Sequence, residues 1–145
     1  MEAISYRFLD WVRRAMVEHS EGKLDAGAVF DERELDLVQN VKLAVNKGLG
    51  LAVVLSLPSL RQVGDEPGET QYSVSTEVIV FHNKGLSKEV DSVLLTEHWF
   101  RIFAGARFDT PSRYIPANVR VDGLQHDVNG LKQTHTFTIS YNEVI

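Results

Sequence analysis

A chain of 145 residues, 43% hydrophobic and 24% charged, has the size and balance of one ordinary domain. It is long enough to bury about two-thirds of the surface it exposes when unfolded. The absence of cysteine excludes a disulfide framework, a thiolate metal site and a cysteine nucleophile, and the net charge of −5 argues against binding driven by neutralising duplex phosphates. The first residues lack the basic and apolar regions of a signal peptide, and the longest apolar run, 49–57, is too short to span a bilayer, so a cytosolic start is expected.

Ile4, Phe8, Trp11, Val12, Ala15 and Met16 recur with the helical period, and Arg7, Asp10, Arg13, Arg14 and Glu18 fall off that stripe, which predicts a helix over 3–19. Residues 20–28, with Gly22 and Gly27 and no period, read as a loop. Asp31 followed by Glu34 has the spacing of a capping box. Leu37, Val38, Val41, Ala44 and Val45 then form a second stripe, with Lys42 and Lys47 in its last turns and Gly48 as a left-handed stop. A second helix is expected over 32–47.

The apolar run 49–57, bounded by glycine and by Pro58, reads as a strand covered on both faces. Residues 59–70, with Asp65, Glu66 and Glu69, read as an exposed acidic loop or a long hairpin tip. In the strand 71–83, Tyr72, Val74, Thr76, Val78 and Val80 point one way and Ser73, Ser75, Glu77, Ile79 and Phe81 the other. Its first half is one-sided and its end apolar on both faces.

Asn83-Lys-Gly-Leu86 makes a turn, with Ser87 as the expected cap of a helix running to Ala104. Leu95, Trp99, Ile102 and Phe103 form one apolar stripe on it, and Val90, Val93, Leu94 and Phe100 a second on the opposite side. One stripe suits the sheet. The other needs a cover, either the N-terminal helix or another subunit, and the residues alone leave both open. Gly105 ends the helix, an irregular connection covers 107–116, and a short strand is expected over 118–122. Asn129-Gly130 signals a hairpin, and after it His135, Phe137, Ile139 and Tyr141 alternate with Thr134, Thr136, Thr138 and Ser140. That last strand has one buried face and one hydroxyl-rich face suited to solvent or to lateral contacts. The expected order is α-α-β-β-α-β-β, an α+β class with two N-terminal helices and a mainly antiparallel sheet of about four strands in a single domain over 1–145.

Chemical signatures are sparse. None of His19, His82, His98, His126 and His135 sits in HExxH or at the helical spacing of a zinc site; His82, His126 and His135 lie on or near expected strands and are the set able to converge. No Gly-x-Ser-x-Gly elbow and no phosphate-cradling loop is present; Gly48-Leu-Gly50 precedes a strand instead of a helix. A restriction-like nuclease wants an acidic residue followed, across a hairpin, by Glu-x-Lys, and Glu77-Val-Ile79 offers no lysine there. Asp31/Glu32 and Asp65/Glu66 read as capping and solvated carboxylates. No catalytic, cofactor-binding or metal-ligating residue is therefore assigned, and no enzyme is expected.

The element order itself carries a likeness. Gly50-Leu-Ala-Val-Val-Leu-Ser-Leu-Pro58 is followed by a variable loop, then by Glu77-Val-Ile-Val-Phe-His-Asn83, by Ser87-Lys-Glu-Val-Asp-Ser-Val-Leu-Leu-Thr-Glu97, and by a closing hairpin ending in Thr-Phe-Thr-Ile-Ser-Tyr141. Over about 35–142 this resembles tail terminator (tail completion), minor tail and head-tail joining proteins of long-tailed phages and prophages, with two N-terminal helices where that family has one. The resemblance implies a structural virion protein, assembled in the host cytoplasm, that forms a homo-oligomeric ring, usually of six subunits. It implies tail-tube and head-connector proteins as partners, DNA passing through without specific binding, no membrane, no cofactor and no catalysis. An acidic pore suits that passage, since like charge disfavours phosphate contacts. Leu95, Trp99, Ile102 and Phe103 and the loop acids Asp65, Glu66 and Glu69 are the candidate subunit-interface residues. The alternatives are a small cytosolic α+β binding or adaptor domain without catalysis, and an enzyme built on converged histidines.

Overall fold

The computed structural model describes residues 3–66, 69–108 and 117–144; the side chains of Asp65, Glu66, Glu69 and Val144 lie outside the described set. Helix α1 (Ile4–Glu18) carries the expected stripe, burying Phe8, Leu9, Val12 and Met16. A short 3-10 turn (Ala26–Ala28) leads into strand β1 (Val29–Asp31), which the sequence reading did not expect. Asp31 is therefore no helix cap. It lies in the strand at 2% exposure, and α2 begins later, at Leu37, and ends at Val45.

Strand β2 (Leu51–Leu55) is buried along its whole length, as its unbroken apolar run requires. The acidic segment is the hairpin of the two readings left open: β3 (Ser59–Glu66) turns back into β4 (Glu69–Asn83). β4 organises the sheet. β2 and β3 share one of its edges, pairing with 78–82 and 69–75, and β8 (Lys132–Val144) runs along the other. β7 (Arg120–Asn129) closes the far side and β1 pairs in parallel with β2, giving the order β1-β2-β4-β8-β7 with β3 also on β4. The result is α+β with three helices and a mainly antiparallel six-stranded sheet, larger than the four strands expected.

Helix α3 spans Ser92–Ala104, starting five residues after the expected cap. Asp91 caps it, Oδ1 accepting from the Leu94 amide at 3.1 Å, while Ser87 accepts from the Glu89 amide in the preceding turn. Gly105 ends it as expected. The expected strand at 118–122 is divided: β6 (Ala117–Asn118) pairs with β5 (Arg107–Phe108), and β7 starts at Arg120. Most of the irregular connection, 109–116, lies outside the described residues.

The alternation in β4 and β8 reads out as a two-faced sheet. Val74, Val78, Val80, Phe137, Ile139 and Tyr141 are at most 1% exposed and lie under α1 and α3. Phe8 meets Tyr141 at 4.8 Å between ring centroids, and Phe100 meets Phe137 at 5.8 Å. The opposite face, with Ile79, Phe81, Thr134, Thr136, Thr138 and Ser140, is only half-buried. Among the described helices α2 is the one that approaches it, over Val54.

Candidate functional site

The helix stripe that the sequence offers for a subunit contact lies mostly inside the chain's own core. Leu95, Trp99 and Phe103 are 8%, 0% and 1% exposed, and Ile102 is half-buried. The cover they need is α1: Trp99 Nε1–H donates to the Met16 carbonyl at 3.0 Å, and the Phe103 ring lies 5.6 Å from that of Trp11. The second stripe is divided. Val90, just before the helix, is buried, Phe100 packs on Phe137, and Leu94 is exposed.

What the chain leaves uncovered is the apolar side of α2. Six of its nine residues, Leu37, Val38, Val41, Leu43, Ala44 and Val45, are apolar, yet only Ala44 is buried. Val38 is 68% exposed and Leu43 55%. Between this helix and the open sheet face runs a groove of about 820 Å³, whose apolar lining includes Val38, Val41, Val54, Phe81 and Leu131, with Lys42 and Lys132 also along it. Asn83, in the groove's lining, is held against Gly50, whose φ is +75°, by an Asn83 N–H to Gly50 carbonyl bond of 2.8 Å. A groove of this size and composition suits an apolar side-chain row from another polypeptide.

A polar network lies across the sheet from it. Ser92, the first residue of α3, donates its hydroxyl proton to Gln133 Oε1 at 2.6 Å and faces His135 Nε2 at 2.7 Å and His82 Nδ1 at 3.1 Å. His135 Nδ1 faces His126 Nδ1 at 2.8 Å, and His126 Nε2 stands 3.5 Å from Glu97 Oε1. The three strand histidines thus converge, as the enzyme alternative required. The serine and histidine also have the spacing of a nucleophile and its base. Access is what they lack: Ser92 and His135 are fully buried, and His82 and Gln133 are 3% and 8% exposed. Burial, with charge on His126 and His82, pushes His135 down to about 4, and burial likewise lowers His82. The network ties α3 to β4, β7 and β8. Among the described residues no group of His, Asp or Glu is placed to hold a metal ion.

Asp31 forms a third cluster. It accepts from Arg33 Nε at 2.9 Å, Arg33 Nη2 at 2.8 Å and Arg13 Nη2 at 3.1 Å, and Arg33 lies over the Tyr6 ring at 4.5 Å. Burial alone would raise this carboxyl, but the hydrogen bonds from Arg33 and the charges of Arg33 and Arg13 hold it below its ordinary value. The cluster ties α1 to β1, with the Asp31 carboxylate held by both arginines, and reads as structural.

The remaining candidates Asp65, Glu66 and Glu69 stand at the β3–β4 hairpin, their side chains outside the described set. Sequence reasoning overlooked the α2 face because it counted the helix stripe as core. The clue was available: after α2 the chain has strands enough for one sheet, and one sheet face was already claimed by the stripes of α1 and α3. Scanned against protein-family models the sequence matches none, and no curated protein matches it.

Proposed function

We propose that this chain is a structural virion subunit that assembles into a ring, like the tail-completion proteins it resembles, and that the α2 groove forms one half of the subunit contact. The observation that carries this reading is α2 itself, six of whose nine residues are apolar and only one buried. A two-turn helix gains little stability from propensity, so an apolar side left open points to a partner that completes it. The other half is the β3–β4 hairpin. Leu60 and Val63 are 45% and 50% exposed there, and the hairpin's sequence, with Asp65, Glu66 and Glu69, is opposite in charge to Lys42 and Lys132 of the groove.

The hairpin does not reach its own groove. From Thr70 to His82 strand β4 runs about 40 Å, at roughly 3.3 Å per residue. A contact between two different patches repeats head to tail and closes into a ring when the rotation permits. Tail-tube and head-connector proteins then meet the ring's two ends, and DNA passes through it.

Light scattering coupled to gel filtration, across a concentration series and with purified tail tubes, tests this. The wild type is expected to form a species of defined multiplicity, and Val38→Asp combined with Lys132→Glu to reduce it with unchanged circular dichroism. A wild type that stays monomeric under both conditions refutes the proposal. A monomer that instead takes an amphipathic helical peptide into the groove moves the reading to an adaptor domain. Tape-measure, tube and portal genes beside this one would add independent support.

A further inference from the structure

We propose that the His126–His135 contact is a proton-limited clasp, which tightens on a first added proton and releases β7 from α3 and β8 on a second. The two residues stand directly opposite on β7 and β8, with Nδ1 facing Nδ1 at 2.8 Å. A gap of that length holds one hydrogen between one donor and one acceptor. The rest of the network decides which ring supplies it. Ser92 gives its proton to Gln133, so its oxygen accepts the Nε2–H of His135. His135 therefore offers a bare Nδ1, and the shared hydrogen belongs to His126.

With His126 neutral, its Nε2 is bare and faces the Glu97 carboxylate at 3.5 Å, an acceptor against an acceptor. A first proton on that nitrogen satisfies both: the imidazolium donates to Glu97 on one side and to His135 on the other. Arg101, 3.6 Å from Glu97, competes for the same carboxylate without displacing that geometry. A second proton finds only Nδ1 of His135, where it sets N–H against N–H across 2.8 Å and places a cation at a fully buried site. The surrounding charges divide. Charge on His126 and on His82 opposes that cation, and Asp91 at the start of α3 favours it. Of the two rings, His126 is the one able to leave, since 26% of its side chain is already exposed. Its departure frees the end of β7 from both the helix and the neighbouring strand.

Nitrogen-detected NMR of the histidine rings, with amide hydrogen exchange, tests this between about pH 8 and about pH 4, the range over which histidines change charge. The first ring proton should leave the β7 amides protected. As His135 gains its second proton, exchange of the β7 amides at 124–129 should accelerate at least about tenfold over β2 amides, after correction for intrinsic pH dependence. His126→Gln, which still donates to His135 but cannot take the extra proton, should abolish that excess. If His126→Gln does not fold, the order of events in the wild type decides. β7 and β2 amides losing protection together, or β7 opening with the first proton, overturns the proposal, as does an unchanged acid response in a folded His126→Gln.

Discussion

Gly50 is where the backbone is most tightly constrained, and Gly48 supplies its internal control. Both adopt left-handed φ, +57° at Gly48 and +75° at Gly50. A Cβ at Gly48 meets nothing within 4 Å, whereas one at Gly50 lies 2.6 Å from the Asn83 carbonyl oxygen. Gly48→Ala carries only the conformational cost, about 1–2 kcal/mol, partly offset by a less disordered unfolded chain, so a net loss of about 1 kcal/mol is expected. Gly50→Ala carries the same cost and must also push β2 and β4 apart. The 2.8 Å bond from Asn83 N–H to the Gly50 carbonyl holds the same two residues together, so the strain has no free direction of relief. Overpacking of this kind costs about 1–3 kcal/mol, and a weakened backbone bond adds about 1 kcal/mol. Gly50→Ala should therefore exceed Gly48→Ala by at least about 2 kcal/mol in urea unfolding followed by tryptophan fluorescence, with equal m-values. Equal losses for the two variants would refute the reasoning, because the conformational cost is common to both.

Trp99→Phe removes the donor to the Met16 carbonyl and leaves that buried acceptor unsatisfied, so a loss of about 2–3 kcal/mol is expected in the same assay, with α1 loosening first in hydrogen exchange. Asp31→Asn should cost about 2 kcal/mol at neutral pH, below the usual range for a broken buried pair because Arg13 and Arg33 are each about one-third exposed. Since the Asp31 carboxyl is depressed in the fold, its stabilisation is complete above its ordinary pKa and is lost as pH falls through the folded value; the variant should flatten that acid limb of a stability–pH profile. His135 acts in a higher window. Held down to about 4 from an ordinary 6.5, it stays neutral in the fold while the unfolded chain takes up a proton. Stability is therefore highest above 6.5 and falls toward 4, by about 3 kcal/mol at roughly 1.4 kcal/mol per pH unit. His135→Gln should remove most of that slope, and an unchanged slope between those limits would exclude His135 as its source.

Periodicity made most of the core legible. The alternation in 74–81 and 134–141 assigned the more buried face correctly, because a strand has only two faces and the core claims one; Tyr72, at the start of β4, is only half-buried, and Ile79 and Phe81 lie on the half-open face. The α1 stripe and the glycine end of α3 were readable for the same reason. Local capping signals failed where a tertiary partner outweighed them. Asp31 has the spacing of a cap, but Arg13 from α1, together with Arg33 two residues on, holds it in β1. Ser87 is a good cap residue, yet the helix waits for Asp91, and that start places Ser92 at the centre of the histidine network. β3 was left open because residues 59–63 are exposed on both faces, so no alternation marks it.

The histidine pair depends on where the β7–β8 loop is centred. Putting Asn129 and Gly130 in the hairpin loop would set His135 opposite Leu124. The loop is in fact Gly130 and Leu131, with Gly130 at φ +62° and Asn129 paired to Lys132, which sets His135 opposite His126. Glycine at the first central position with positive φ is what a type II′ turn demands. Asn-Gly as a pair favours the type I′ loop instead, so the dipeptide signals a hairpin here and misplaces its centre. The network selects between them. Centring the loop on Asn129 and Gly130 would slide β7 by two residues, keep the same face inward, set Leu124 in place of His126 opposite His135, and leave His135 Nδ1 without that partner. The chemistry of this buried cluster and the register of the β7–β8 hairpin are thus one constraint, and a proton that breaks the first loosens the second.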